Sequence, residues 1–66
     1  MIFTACTLVQ FNDLPHYRWV SLPGRNELKI GKGTVGVKIN GECSYKTFKD
    51  GREAHTAFEA LLRWLR

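Results

Sequence analysis

The apolar residues near the C-terminus repeat with the spacing of one face of an α-helix. They are Ala54, Ala57, Phe58, Leu61, Leu62 and Leu65. Asp50 precedes this run as a candidate N-cap, and Glu53 follows at the third helical position. The pattern predicts a helix over about residues 51 to 65. Because one amphipathic helix cannot bury its own apolar face, the rest of the chain must supply a sheet for it to cover.

Two runs of alternating residues just before this helix predict a β-hairpin around Asn40-Gly41. A two-residue loop there would send the apolar residues of the two strands to opposite faces. We therefore expect a three-residue loop with a glycine bulge, which gathers the odd-numbered residues on the face under the helix. These residues are Val35, Val37, Ile39, Cys43 and Tyr45, and the residues expected to face away are Lys32, Lys38, Ser44 and Lys46.

The runs "IFTACTLVQF" and "HYRWVSL" are rich in β-branched and aromatic residues and predict further strands. Pro15 is expected in the connection between them, because a proline inside a central strand removes a hydrogen-bond donor. Pro23-Gly24 marks the next turn. The predicted fold is α+β, with a three- or four-stranded antiparallel sheet and one C-terminal α-helix packed on one face. Residues 1–66 form a single small domain.

The charge balance favours an anionic partner. Ten Lys and Arg face six Asp and Glu, which gives a net charge of +4 and a pI near 9.4. This excess favours nucleic acid, with DNA ahead of RNA, or one acidic protein partner. No run approaches the roughly 18 to 20 apolar residues that a membrane-spanning helix needs.

No catalytic or metal-binding motif stands out. His16 and His55 have no nucleophile in a recognisable setting, and helix capping accounts for Asp50 and Glu53. The two histidines with Cys6 and Cys43 lack the paired spacing of zinc ligands. We expect neither an enzyme nor a cofactor, and no metal. The opening residues lack the basic leader of a secretory signal, so we expect a cytoplasmic protein with reduced thiols; a Cys6–Cys43 disulfide is the alternative.

One part of the chain resembles a known kind of DNA-binding domain. The order is Val37-Lys38-Ile39-Asn40-Gly41, Tyr45, Thr47-Phe48, Asp50, Glu53-Ala54 and Ala57-Phe58. It resembles the end of the sheet-plus-helix domains of plant ethylene-response factors, and it is similar to the N-terminal arm-site-binding domains of tyrosine recombinases. The likeness covers about residues 34 to 60, with one residue fewer between Gly41 and the Thr-Phe pair.

The resemblance implies that the outer face of the sheet lies in the major groove, with the helix packed behind. The corresponding positions here are Arg18, Lys38, Ser44 and Lys46, and Lys32 and Lys49 add positive charge nearby. Those families usually carry several arginines on this face. Lysine contacts phosphate as a point charge and lacks the bidentate fork that reads guanine. We therefore expect salt-sensitive binding to the nucleic-acid backbone.

A protein-interaction module or small inhibitor is the alternative function. Trp64 lies at the edge of the helical stripe, where an aromatic side chain is a typical contact residue. Trp19 is open to three interpretations: core residue, base-stacking platform or interface anchor. The opening strand is apolar on both faces, and we expect it to form a homodimer through Phe3, Leu8 and Phe11.

Overall fold

The computed structural model describes residues 2–66 and has an α+β fold built on one antiparallel sheet. In chain order the elements are β1 (Thr4–Cys6), α1 (Leu8–Asp13), β2 (Arg18–Leu22), β3 (Asn26–Gly31), β4 (Thr34–Ile39), β5 (Glu42–Thr47) and α2 (Gly51–Leu65). The strand order across the sheet is β1-β5-β4-β3-β2, and every neighbouring pair is antiparallel. The sheet therefore has five strands, more than the three or four predicted.

Helix α2 confirms the prediction made from its apolar stripe. It spans Gly51–Leu65, and the carboxylate of Asp50 accepts a hydrogen bond from the Glu53 backbone nitrogen at 2.8 Å. This bond satisfies one of the free N–H groups of the first turn. The stripe packs on apolar residues of the central strands. The buried cluster consists of Leu28, Ile30, Val35, Val37, Ala54, Phe58 and Leu62.

The predicted three-residue hairpin loop is wrong. Val37 pairs with Ser44 and Ile39 pairs with Glu42, so the loop consists of Asn40 and Gly41 alone. Both residues have positive φ, 52° and 86°, as the tight turn of a two-residue hairpin requires. As a result the apolar residues of β5, Cys43 and Tyr45, lie on the side of the sheet away from α2. Ser44 and Lys46 lie on the α2 side.

Helix α1 explains why this hairpin register is stable. The opening run forms only a three-residue strand and then turns into the helix Leu8–Asp13. Thr7 begins this helix with a reciprocal cap: its hydroxyl accepts from the Gln10 backbone nitrogen at 3.1 Å, while the Gln10 side chain accepts from the Thr7 nitrogen at 2.9 Å. Phe11 packs edge-on against Trp19, with ring centres 6.0 Å apart. The face opposite α2 thus has its own apolar cover.

The two prolines lie where the sequence predicts them. Pro15 is in the connection between α1 and β2, and Pro23 is in the turn between β2 and β3. Within residues 2–66, none of the helices is both long and apolar enough to cross a bilayer.

Candidate functional site

The residues predicted to bind nucleic acid from one outer face lie on both sides of the sheet. Arg18 pairs with Ile30 in the sheet register, Ser44 with Val37 and Lys46 with Val35, and these three partners face α2. Lys38 pairs with Cys43 and lies on the α1 side. Each face also carries a helix. The expectation of a bare basic face that fits the major groove is therefore corrected.

Two of these cations already have a carboxylate partner. Arg18 Nη1 lies 3.4 Å from Glu59 Oε1, and its guanidinium lies 5.2 Å from the centre of the Phe58 ring. Lys38 Nζ lies 3.0 Å from Glu27 Oε2. The Lys38 hydrogen bond, reinforced by one from Trp19 Nε1, holds the pKa of Glu27 below its ordinary value against the effect of its burial. A lysine or arginine that is paired with a carboxylate attracts a phosphate group less strongly than an unpaired one does.

Ser44 and Lys46 are half-buried beside α2. Ser44 lines a groove with Phe3, Ala5 and Ile39. The Lys46 ammonium lies 5.3 Å from the centre of the Phe48 ring, so the lysine stem packs along the sheet while the charge remains near the surface. Neither residue stands out from the protein as a base-reading side chain must.

Lys32 and Lys49 both lie at one end of the sheet. The backbone nitrogen of Phe48 donates to the Gly33 oxygen at 2.7 Å, which extends the β4–β5 ladder beyond Thr34 and Thr47. Lys32 immediately precedes Gly33 in the β3–β4 turn, and Lys49 immediately follows Phe48, so both lysines lie at this end of the sheet. Both are exposed, and within the described residues neither is in ion-pair contact with a carboxylate.

Tyr17 lies next to Lys32 at this end of the sheet. Its backbone nitrogen donates to the Ile30 oxygen at 3.0 Å, which fixes the start of β2 beside the end of β3. A shallow depression of about 180 Å³ is lined by Pro15, His16, Tyr17, Gly31 and Lys32. Tyr17 is 67% exposed. We refer to Tyr17, Lys32 and Lys49 as the basic corner.

Sequence reasoning missed two features here. Nothing in the local pattern distinguishes Tyr17 from a strand residue, because its place beside Lys32 depends on the β2–β3 pairing. Helix α1 did leave a signal: Thr7 followed by Gln10 has the spacing of a capping box. Trp19, which the sequence left open, is 41% exposed; its ring contacts Phe11 and His16, and its nitrogen donates to Glu27.

The residues predicted as a protein interface also divide between the two sides of the sheet. Phe11 is 0% exposed and belongs to the core between α1 and the sheet, so it is unavailable to a partner. Phe3 is half-buried against the cluster under α2, and Leu8 is exposed on α1. Trp64 is 72% exposed on α2. The opening segment therefore does not provide the continuous apolar strand on which the dimer prediction relied.

A shallow apolar groove lies along the flank of α2 that carries Trp64. Its volume is about 440 Å³. It is lined by Phe48, Arg52, Glu53, Thr56, Ala57 and Ala60. Residues 53, 57, 60 and 64 follow one another at helical spacing, so Trp64 lies on the same flank one turn beyond Ala60. Small side chains at Ala57 and Ala60 leave the groove open.

The described residues contain no group of three or more His, Cys, Asp or Glu side chains placed to hold a metal ion. His55 and Glu59 do approach each other, with Nε2 and Oε1 3.8 Å apart one helical turn along α2. Both are on the helix surface, and Glu59 also contacts Arg18. The two side chains are one turn apart on the helix surface, and this spacing explains why they approach each other.

Comparison with known proteins adds no relationship: no family model, no curated protein and no solved structure matches this chain. The likeness to ethylene-response-factor and recombinase domains rests on the sequence pattern alone.

Proposed function

We propose that the protein binds single-stranded nucleic acid, DNA before RNA, through the basic corner. The observation that carries the proposal is that Lys32 and Lys49 lie at the same end of the sheet, both exposed and, within residues 2–66, with no carboxylate in ion-pair contact. A polyanion bound along this end of the sheet can place phosphate groups against both ammonium groups, and the net charge of +4 attracts it from a distance.

Tyr17 favours a single strand over a duplex. Its exposed ring lies beside Lys32, and an aromatic ring next to lysines is the usual arrangement for stacking an unpaired base while the backbone is held by charge. Bases inside a duplex are stacked on one another and are not open to this contact. A helix packed on each face of the sheet also hinders the flat approach that the major groove requires.

The double variant Lys32→Glu/Lys49→Glu is expected to lose most of its affinity for a fluorescently labelled single-stranded oligodeoxythymidine. The measurement is fluorescence anisotropy at several salt concentrations. Each lost phosphate contact on a single strand removes about 0.7 from the slope of log affinity against log salt, so the slope should flatten by about 1.4. Tyr17→Ala should weaken binding roughly tenfold and leave the salt slope unchanged, because it removes stacking and no charge.

The matched control is Arg63→Glu/Arg66→Glu, which changes the net charge by the same amount. These arginines lie at the far end of α2, about 20 Å from Lys49 at the rise of a helix. The control should keep the salt slope of the parent protein. Equal losses of affinity in the two double variants would mean that binding depends on net charge alone. The proposal that the basic corner binds nucleic acid would then be wrong.

A second candidate function is protein interaction through the flank of α2. The observation that favours it is the exposure of Trp64. This side chain is 72% exposed beside an apolar groove, and large exposed aromatic side chains of this kind are typical of protein-contact sites. We propose a second copy of the chain as the occupant. Antiparallel pairing of two α2 flanks places each Trp64 over the groove at Ala57 and Ala60 of the other copy.

Trp64→Ala is expected to convert the dimer into a monomer in sedimentation equilibrium at micromolar concentration. Leu8→Ala is the control, since Leu8 is exposed on the opposite side of the sheet. A monomeric parent protein, or a dimer that survives Trp64→Ala, would exclude this interface.

A further inference from the structure

The sheet brings the two cysteines face to face. In the register of β1 and β5, Cys6 lies directly opposite Cys43. Both thiols are free; Cys43 is buried and Cys6 is half-buried. Residues directly opposite each other in an antiparallel pair project to the same side of the sheet, here the side that carries α1. The burial of Cys6, and to a smaller extent the nearby Cys43, raise the pKa of the Cys6 thiol.

This register suits a disulfide. Opposed residues of an antiparallel pair have Cα atoms about 4.5 to 5.5 Å apart, and disulfide-bonded cysteines usually have Cα atoms about 4.4 to 6.8 Å apart. The register therefore places the two cysteines within the range of a disulfide with no displacement of either strand. Cysteines brought together only by sheet pairing, and far apart in the chain, also close a long loop when they are joined.

β1 is the strand that such a bond would hold. It has three residues, and three register pairs attach it to β5. On its other side it has no neighbouring strand among the described residues. Phe3 and Ala5 form one wall of the groove that also contains Ser44. Short edge strands open more readily than central ones, because fewer hydrogen bonds must break.

We propose that Cys6 and Cys43 form a reversible cross-strand disulfide that locks β1 to β5 under oxidising conditions. The oxidant is a low-molecular-weight disulfide such as oxidised glutathione. The Cys6 thiolate attacks one glutathione sulfur and releases the first glutathione as a thiol. The Cys43 thiolate then attacks the Cys6 sulfur of this mixed disulfide and releases the second. The protein loses two electrons and two thiol protons, and the oxidant becomes two thiols.

The test treats the full chain with oxidised glutathione at mildly alkaline pH, where more of the raised-pKa thiol is ionised. Mass spectrometry should show a chain that has lost two hydrogen atoms and carries no glutathione. The oxidised chain should melt about 10 °C higher than the reduced one. Hydrogen exchange at the β1 amides should slow more than exchange at β3. Excess dithiothreitol should reverse all three changes.

Cys6→Ser is the matched variant, and it should gain at most one glutathione and no thermal stabilisation. The parent protein alone also decides the question if this variant folds poorly. Two glutathiones per chain without an internal bond, or a disulfide between chains, would overturn the proposal. An internal bond that leaves the melting temperature and the β1 exchange unchanged would overturn the locking role. None of these results depends on nucleic-acid binding.

Discussion

Lys29→Met is expected to lower the free energy of unfolding by about 2 to 3 kcal/mol and to release α1 from the sheet. Lys29 is 1% exposed in the middle of β3. Its ammonium donates hydrogen bonds to the backbone oxygens of Phe11 at 2.7 Å and Asn12 at 2.9 Å. The ammonium also lies 4.2 Å from the centre of the Trp19 ring. The urea midpoint, read by circular dichroism, measures the loss.

The size of this effect follows from what the substitution leaves behind. Replacing a buried ion pair with apolar groups is often harmless because both charges leave together. Here the acceptors are backbone oxygens at the C-terminal end of α1, and they remain after the ammonium is gone. Methionine retains a similar length and supplies no donor. A six-residue helix is too short to persist without its tertiary contacts.

Burial already disfavours the charge that makes these bonds. Desolvation lowers the pKa of Lys29 from its ordinary value, although Asp13 and Glu27 act in the opposite direction. A lysine with a lowered pKa binds fewer protons when folded than when unfolded at alkaline pH. Its titration therefore favours the folded state as the pH rises from the lowered value to the ordinary value near 10.5.

Lys46→Met is the matched control for Lys29→Met. Lys46 is half-buried on β5 and makes no hydrogen bond to a carbonyl oxygen within residues 2–66. Replacing Lys46 with methionine should change the free energy of unfolding by no more than about 0.5 kcal/mol. Similar losses at the two positions would mean that the Lys29 bonds contribute nothing specific. Retained hydrogen-exchange protection at Phe11 and Leu14 in Lys29→Met would lead to the same conclusion.

Gly31→Ala is expected to destabilise the protein by about 3 kcal/mol, enough to populate the unfolded state of a domain this small. A Cβ atom at Gly31 would lie 2.2 Å from the Pro15 oxygen and 2.5 Å from the Pro15 carbonyl carbon. These are backbone atoms of the connection between α1 and β2, and they cannot turn aside as a side chain can. Thermal unfolding followed by circular dichroism should show a large fall in melting temperature.

Gly51→Ala provides the comparison. A Cβ atom at Gly51 meets nothing within 4 Å, and Gly51 is the first residue of α2. Alanine has the higher helix propensity, so this variant should be neutral or slightly more stable than the parent. If Gly31→Ala and Gly51→Ala melted at the same temperature, the connection would not pack against the end of β3 as the structure has it.

The local signals for α2 and for the positions of the turns were interpreted correctly, whereas the capping box of α1 was missed. The stripe from Ala54 to Leu65 and the cap at Asp50 depend on neighbours within a few positions, and α2 has the predicted bounds. The turns at Pro23 and Asn40 are likewise local. The prediction of the hairpin register was wrong, because it assumed that the sheet has a helix on only one face. With α1 on the second face, a strand with apolar residues directed away from α2 is stable, and the shorter loop is allowed.

The candidate site was much less predictable than the fold. Positive charge at Lys32 and Lys49 was visible in the sequence, whereas Arg18 and Lys38 could not be known to face Glu59 and Glu27. Those partners are 41 and 11 positions away. Residue spacing shows which side of a strand a residue occupies, and it does not show which distant residue meets it there.

The sequence by itself determined α2, the positions of the turns and the excess of positive charge, because each depends on residue type and short-range spacing. The tertiary structure alone decided which lysines remain free, that Lys29 is buried beneath α1, and that Cys6 faces Cys43. These outcomes follow from strand pairing and from the second helix, which join residues far apart in the chain. Short-range patterns carry no information about such contacts until the order and register of the strands are known.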